Sequence, residues 1–349
     1  MRRWITRPIA LLLLLLVAAT GAAMLNTDTW WIRFLDFPRM QIAAALAVLV
    51  LVYMLIAGWR GIVVTLLSLV ALGVQVRTLW PYQPLARQMV AHTPRCADDG
   101  VLRVLSTNVQ RGNQDVQQVI DMIRANDPDI LLVMETDERW DRDLTPLRDD
   151  YEHVMQSIPE DATYFGMHVF SHYPLENARF EFPFDSDTPL FVGDVAHPRG
   201  TVQFLGVHPR PPQRGQSSEM RDATVLTAAQ YAADSEAVSI MAGDYNATPW
   251  NDTARLAMRV GQVLDPRQGR GPLVSFDAES AWMKWPLDQI LWQGGPGMLD
   301  FQVLPAVGSD HYPVRADLCL TTNAPGDPAA PQDGDAAAVQ AIFAAASEG

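Results

Sequence analysis

The stretch VGSDHYPVRADL, residues 307–318, lies close to the C-terminal end of the chain. From Tyr312 onward, apolar and charged residues alternate with the spacing of a half-buried β-strand. Asp310 and His311 stand side by side directly before this strand. Two interpretations are open: a polar surface turn, or a catalytic edge at which both side chains meet a ligand beyond the strand end.

The chain has 349 residues and a net charge of −14, and Lys284 is the one lysine among its 26 basic residues. Residues 97–322 carry 17 basic and 34 acidic side chains. Nonspecific binding to duplex DNA draws its affinity from Lys and Arg side chains, so this composition disfavours that function. Two distant cysteines exclude a zinc cluster and a disulfide-rich scaffold.

Three uncharged apolar runs, residues 9–25, 41–58 and 61–76, are each about long enough to cross a bilayer. Tryptophans flank them, as in the headgroup layer of a membrane. We therefore predict a membrane domain over residues 1–80 with about three transmembrane helices. A buried helical bundle in a soluble protein is the alternative.

The arginines before the first run favour a cytoplasmic start, and three spans then place the rest of the chain outside the cytoplasm. The first run also has the form of a cleaved signal peptide, which would leave a two-helix hairpin with the same outcome. The expected location is the inner (plasma) membrane, multi-pass, with an extracytoplasmic catalytic domain.

Residues 81–100 are rich in proline and predict a linker. Residues 101–320 alternate strand-like and helix-like segments, which is typical of layered α/β architecture. The Ala-, Pro- and Asp-rich residues 321–349 predict a largely disordered tail, with a weak helix around AAAVQAIFAAA.

Several predicted strands end in residues that can bind a metal, carry a proton or hold a phosphate. Carboxylates can hold Mg²⁺, and histidine with a carboxylate behind it can orient or deprotonate water. These residues are Asn108, Glu135, His208, Asp244, Asn246, Asp288, Asp310 and His311. Together they supply what metal-assisted phosphoester hydrolysis requires.

Residues 101–320 resemble the endonuclease/exonuclease/phosphatase superfamily of metal-dependent phosphoesterases, which includes deoxyribonuclease-I-like nucleases. The motifs that carry the resemblance occur in the family's order: STNVQ, LLVMET, GMHVFSHYP, GVHPRPP, GDYNATP, LDQIL and GSDHYPV. The resemblance implies a four-layer α/β sandwich, with two mostly antiparallel sheets between helices.

The resemblance also implies roles for individual residues. Glu135 would be the principal ligand of Mg²⁺ or Mn²⁺, with Asn108 and Asp310 nearby. His311, oriented by Asp288, would act as general base or phosphate contact. Asp244 would position the attacking water, Asn246 would hold the scissile phosphate, and His208 would stabilise developing charge or protonate the leaving group.

Some positions depart from the family's pattern. His172 replaces the usual arginine of the third motif, so a phosphate contact there is altered. His168 is either an extra polar contact or, as we prefer, a buried structural histidine. Arg210 and Arg214 either lie in a solvated loop or steer phosphate.

In the implied fold the first and last strands of the domain are neighbours, which would bring Cys96 and Cys319 toward the same end. A disulfide is possible in an oxidising compartment. We favour two free thiols, because Cys96 precedes its strand by several flexible residues.

The expected protein is a membrane-anchored, metal-dependent hydrolase of a phosphodiester or phosphomonoester. Nucleic acid, a phospholipid headgroup and a small phosphorylated metabolite all stay open as substrates, and the sequence does not decide the oligomeric state. The alternative is a non-catalytic membrane-tethered binding module that retains the fold.

Overall fold

The computed structural model describes residues 2–159, 166–324 and 326–348. Met1 and Gly349, at the outer ends of the predicted membrane domain and tail, lie outside these ranges. The helices are α1 (Arg2–Ala22), α2 (Trp30–Arg33), α3 (Arg39–Ala57), α4 (Ile62–Leu79), α5 (Val116–Asn126), α6 (Glu138–Asp143), α7 (Ser218–Asp234), α8 (Asp252–Gly261) and α9 (Asp335–Glu348). The strands are β1 (Val101–Asn108), β2 (Ile130–Thr136), β3 (His153–Ser157), β4 (Gly166–Ser171), β5 (Leu175–Glu181), β6 (Leu190–His197), β7 (Gly200–Val207), β8 (Val238–Asp244), β9 (Val263–Leu264), β10 (Asp288–Gln293), β11 (Gly295–Val303) and β12 (Val314–Ala324).

The strands form two six-stranded sheets. The first has the order β11-β12-β1-β2-β4-β3 and the second β5-β6-β7-β8-β10-β9. One neighbouring pair in each sheet is parallel, β1 with β2 and β7 with β8, and the other pairs are antiparallel. The two mostly antiparallel sheets that the sequence predicted are therefore present.

The sheets pack face to face, and helices cover their outer faces. The core between the sheets contains Leu132 from the first sheet and Phe204 and Ile240 from the second. The apolar stripe of α5 covers the first sheet, and α7 and α8 cover the second. This arrangement is a four-layer sandwich in which each sheet buries apolar side chains on both faces.

The C-terminal tail contains a helix at the AAAVQAIFAAA segment, where the sequence predicted one, but this helix is packed on the domain and longer than a weak helix in a disordered tail. Helix α9 lies on α7 and buries Val339 there, with Ile342 and Phe343 partly buried beside it. Asp335 at the start of α9 forms an ion pair of 2.8 Å with Arg259 of α8. An apolar stripe with a partner surface, together with a charge at the helix start, explains why this alanine-rich segment is ordered.

The N-terminal helices α1, α3 and α4 pack on one another around Leu13, Leu46 and Tyr53. Two helical segments, Trp4–Ala22 and Arg39–Tyr82, are long and apolar enough to cross a membrane by length and composition. Only 11% and 22% of their apolar windows are buried, unlike the core helices of a soluble protein. The second segment contains both α3 and α4, which separate at Gly58–Gly61.

Cys96 and Cys319 form a disulfide, with their Cα atoms 5.6 Å apart. The expectation of two free thiols is therefore wrong. Cys319 pairs with Val101 in the register of β1 and β12, and the short helical turn Asp98–Gly100 lies between Cys96 and β1. This turn folds the chain back, so that Cys96 reaches its partner despite preceding the strand by five residues.

Candidate active site

The two parallel strand pairs bring four polar side chains to one edge of the sandwich. Asn108 ends β1, and Glu135 lies one residue before the end of β2. His208 directly follows β7, and Asp244 ends β8. Because parallel neighbours end at the same edge, these side chains converge without any long connection.

Antiparallel neighbours add the remaining residues at the same edge. Asp288 begins β10 and pairs with Asp244 in register. Asp310 and His311 precede β12, so the alternation of faces along a strand does not separate them. Ser309 holds this turn, since its hydroxyl donates to the Asn108 carbonyl at 2.7 Å and accepts from the His311 amide at 3.0 Å. Residues 307–318 had two possible interpretations, a polar surface turn or an edge at which Asp310 and His311 converge with other side chains. The structure shows the converging edge.

A bulge in β2 turns Glu135 toward the site. Regular alternation would point Glu135 away from the core between the sheets, where Met134 lies. Instead Glu135 has φ +59°, and the register with β4 shifts between Met134 and Thr136. Gly166 permits the close approach, because a Cβ there would lie 1.7 Å from the Thr136 carbonyl oxygen. The carboxylate consequently accepts a hydrogen bond of 2.8 Å from the Asn108 side-chain amide.

Asp244 lies at the centre of the constellation. It follows Gly243, which has φ +142° and whose Cβ would lie 1.8 Å from the Val207 carbonyl oxygen. The Asp244 carboxylate accepts from the Asn246 backbone amide at 2.9 Å and from the Asn108 side chain at 3.3 Å. The Asn246 side chain donates to the Pro209 carbonyl at 2.9 Å, which joins the ends of β7 and β8.

The two histidines of the site have opposite electrostatic character. His311 Nδ1 lies 2.8 Å from Asp288 and its Nε2 lies 3.6 Å from Asp244. Burial lowers the pKa of His311, but the charges of Asp288 and Asp244 outweigh burial and raise it to about 10. His208 Nε2 lies 3.8 Å from Asp244 and 4.0 Å from Glu135, and burial lowers the pKa of His208 to about 4. At neutral pH His311 therefore carries a charge and His208 does not.

The carboxylates of the site fit a hard divalent cation. Burial raises the pKa values of Glu135 and Asp244, and it raises that of Asp310 to about 6, with neighbouring carboxylates adding to each shift. Grouped acidic oxygens of this kind are stabilised by Mg²⁺ or Mn²⁺. Among the described residues, Asp244, Asp288 and His311 also have ligand atoms within 4.8 Å of one another. We assign Asp288 and His311 to a hydrogen-bonded pair because Nδ1 already faces the carboxylate.

Most of these residues line one pocket of about 490 Å³. Asp288 and Asn108 do not line it, but each contacts a residue that does, His311 and Glu135 respectively. Its polar half contains Glu135, His208, Asp244, Asp310 and His311, all predicted from the sequence. Sequence analysis did not identify Phe34, Phe37, Phe276 or Leu287, which line its apolar half together with Trp285. Leu287 directly precedes Asp288 and could have been suspected, and Trp285 is one of the tryptophans near the motifs that could stack a base or touch acyl chains, although a core role is expected for most. Nothing in the sequence connects Phe34 or Phe37 with the site, because they lie in the N-terminal helical region.

His172 does not reach the pocket, and its predicted role as a substrate contact is wrong. Because β4 runs antiparallel to β2, Ser171 pairs with Ile130, at the end of β2 remote from Glu135. His172 stacks there on Tyr151, with ring centroids 4.4 Å apart.

The other two predicted substrate contacts and His168 also lie outside the pocket lining. The guanidinium of Arg210 is ion-paired with Asp185 at 2.9 Å and also contacts Asp187, while Arg214 is exposed. His168 is buried between Thr136 and Asp141, with a hydrogen-bond distance of 3.0 Å to each. His168 therefore has the structural role that we preferred.

Comparisons with known proteins identify the family and the fold. The sequence model of the Endonuclease/Exonuclease/phosphatase family matches residues 105–311. TDP2 from Caenorhabditis elegans is 15% identical, with a TM-score of 0.51 over 63% of this chain and 75% of that one. D. rerio TDP2 complexed with single strand DNA product is 14% identical, with a TM-score of 0.53 over 62% of this chain and 98% of that one. At these identities the likeness shows the fold, and a search of curated proteins finds no match. The family match spans more than half of the sequence and both ends of the site, and the chain belongs to the endonuclease/exonuclease/phosphatase family.

Proposed function

We propose that this protein is a membrane-anchored phosphoester hydrolase that depends on a divalent cation. The observation that carries the proposal is the convergence of Glu135, Asp244, His208 and His311 in one pocket. Asp288 holds the imidazole of His311 from outside the lining, at 2.8 Å. These side chains come from strand ends of both sheets, which meet at one edge of the sandwich. The family to which the chain belongs supports the same reaction class.

Glu135 and Asp310 are the proposed ligands of Mg²⁺ or Mn²⁺, and Asn108 lies beside them. A bound divalent cation supplies Lewis-acid stabilisation of charge on the phosphoryl oxygens. Asn108 also donates to Glu135 and Asp244, which fixes the spacing of the two carboxylates.

The remaining residues bind and orient the reactants. Asp288 holds the imidazole of His311 with Nε2 directed at the pocket, and the charged imidazole fits a phosphate contact. Asp244 is the carboxylate placed to orient water and accept its proton. Neutral His208 stabilises charge that develops on the leaving group, and Asn246 lies beside Asp244 as a further phosphate contact.

The proposed location is the inner (plasma) membrane, multi-pass, with the catalytic domain outside the cytoplasm. Two helical segments are apolar and largely exposed, as a membrane span requires. The Cys96–Cys319 disulfide adds support, since structural disulfides persist in oxidising compartments.

A non-catalytic binding module with the same fold is the alternative from another class. A module that only binds has no need for a histidine paired with a buried carboxylate and aimed at a pocket. The His311–Asp288 pair, at 2.8 Å, therefore favours the enzyme.

The test is hydrolysis by the full chain in detergent micelles. The protein is stripped with EDTA and then assayed with Mg²⁺ or Mn²⁺. Bis-p-nitrophenyl phosphate and p-nitrophenyl phosphate distinguish a diesterase from a monoesterase, and plasmid DNA, single-stranded DNA and sphingomyelin extend the panel. We expect cation-dependent release that His311→Ala abolishes and that His172→Ala, at the opposite sheet end, retains. No hydrolysis of any substrate would favour the binding module.

A further inference from the structure

The connection between α1 and α3 is built into the catalytic domain. The carboxylate of Asp28 accepts hydrogen bonds from the backbone amides of Ser218 at 2.6 Å and Glu219 at 3.0 Å, and so caps α7. Five residues later, the buried side chain of Arg33 pairs with Asp222 of the same helix. A charge pair without access to water is costly to separate, so this segment is anchored at two points.

Asp36 provides a third anchor. Its carbonyl accepts from Trp250 Nε1 at 2.7 Å, and its carboxylate accepts from the Asn251 side chain at 2.8 Å. The same carboxylate is ion-paired with Arg39 at 2.7 Å, at the start of α3. Residues 28–39 therefore have a defined position on the catalytic domain, and the side chains between the anchors are positioned with them.

Two of these side chains form a wall of the active-site pocket. The ring of Phe34 meets Trp285 edge-on at 5.6 Å between centroids, and Phe37 packs on the same indole at 5.3 Å. Phe276 stacks on Trp285 and lies 4.8 Å from the ring of His311. A continuous row of aromatic rings thus leads from the α1–α3 connection to the catalytic histidine.

Phe34 is the exposed member of this row. It is 38% exposed, whereas Phe37 and Trp285 are 5% and 3% exposed. Trp30 and Trp31, in the turn of helix before it, are 40% and 53% exposed. Phe34 consequently offers apolar surface both to the pocket and to the ends of the apolar helices.

Other exposed rings lie at the same end of those helices. Trp282 is 68% exposed, and its carbonyl accepts a hydrogen bond of 2.9 Å from the Gln41 side chain at the start of α3. Exposed tryptophans at the ends of apolar helices are typical of the headgroup layer. The segment that supplies Phe34 to the pocket therefore lies at the helix ends where a headgroup layer is expected.

We propose that Phe34 is a specificity-determining residue and that the pocket accepts a phosphoester of a membrane lipid. The phosphate lies at the Glu135–His311 end, and the first part of the apolar chain lies along Phe34. A volume of about 490 Å³ suits a headgroup and the start of a chain, while the rest of the chain stays in the bilayer. The acidic composition of residues 97–322, with 17 basic and 34 acidic side chains, disfavours a nucleic acid in this role.

This inference rests on the proposed function, whose chemistry it retains. The oxygen of water bonds to phosphorus, the ester P–O bond breaks, and the leaving oxygen departs as an alcohol or phenolate. What the inference adds is that apolar contact with Phe34 contributes to the binding of substrate.

The test uses three p-nitrophenyl phosphodiesters that differ in their second ester group: methyl, hexadecyl and thymidine. The full chain in detergent micelles is assayed with Mg²⁺ for release of p-nitrophenolate. We expect the highest kcat/KM for the hexadecyl ester. In Phe34→Ala the ratio of the hexadecyl to the methyl kcat/KM should fall about tenfold, because one aromatic contact is lost. Phe34→Leu, which keeps apolar surface, should restore most of the ratio.

Trp59→Ala is the matched control, since Trp59 is 82% exposed in the turn between α3 and α4. It should leave the ratio unchanged, which separates the pocket contact from partition of the ester into micelles. A second readout needs no metal: hexadecyl phosphate should raise the unfolding temperature of EDTA-treated wild type more than that of Phe34→Ala.

An unchanged ratio in Phe34→Ala would overturn the inference while the proposed function stands. Preference for the thymidine ester, lost in Phe34→Ala, would also overturn it and make the aromatic row a base-stacking surface. Release from none of the three diesters would overturn the inference. If p-nitrophenyl phosphate is also left intact, the proposed function falls with it.

Discussion

Removal of the Cys96–Cys319 disulfide should destabilise the protein strongly. The bridge closes a loop with a sequence separation of 223 residues. The chain-entropy model assigns a loop of this length about 5 kcal/mol, and removal of native bridges costs about 2–5 kcal/mol. For a domain of this size, each kcal/mol corresponds to about 2–4 °C in unfolding temperature, so we expect a decrease of about 10 °C.

Cys96→Ala is the cleanest perturbation. Cys319 is fully buried in β12, and its replacement would add a packing defect to the loss of the bridge. Cys96 lies before the first strand and is only partly buried, so its replacement leaves the core intact. Thermal unfolding of the full chain in detergent, at one scan rate, compares wild type with Cys96→Ala, each with and without dithiothreitol.

Reductant should lower the unfolding temperature of wild type to that of Cys96→Ala, and it should leave the variant unchanged. Equal unfolding temperatures for all four samples would refute the reasoning. Alkylation of both thiols in freshly isolated, unreduced wild type would refute it as well, and would remove the support that the bridge lends to an extracytoplasmic domain.

Three further predictions concern single side chains. Glu135→Gln keeps the size of the side chain but removes its charge, so Mg²⁺ affinity and turnover should both fall by about a hundredfold or more; EDTA-resistant activity equal to wild type would exclude the role. His311→Ala should lower turnover by about 10²–10⁴-fold with Mg²⁺ binding retained, and Asp288→Asn should lower it strongly through lost orientation of the imidazole; a wild-type rate in either variant at saturating metal would remove that residue from the mechanism. Burial lowers the pKa of His168 below 6.5, so its contribution to stability is present above pH 6.5 and is lost as the pH falls. Denaturant unfolding at about pH 7.5 and about pH 5.5 should show a larger loss for wild type than for His168→Gln, and equal losses would contradict the assignment.

The sequence by itself indicated a layered α/β fold and the polar residues that converge at one edge, and the resemblance to the family added the two-sheet sandwich. A strand that is buried on one face alternates apolar and polar residues, but a residue at the end of the strand need not follow this alternation. The ends of β1, β2, β7 and β8 could therefore be recognised in the sequence as polar residues that follow apolar runs. Asn108, Glu135, His208 and Asp244 were identified in this way. The order of the motifs then indicated the family.

Only the tertiary structure determined the contacts between segments that are distant in the chain. The direction of β4 relative to β2 placed His172 at the wrong end of the sheet, and a motif of consecutive residues contains no information about that direction. The turn at Asp98–Gly100 brought Cys96 to Cys319, which spacing alone did not predict.

The apolar wall of the pocket is the clearest case. Phe34 lies between two apolar helices and almost one hundred residues before the start of β2, and its local sequence is that of a connection between apolar helices. It reaches the site because Arg33 and Asp36 are bound by α7 and by residues next to α8. Such long-range pairings depend on the packing of the whole chain and leave no periodic pattern in the sequence, so that only the folded structure shows that the N-terminal region completes the pocket.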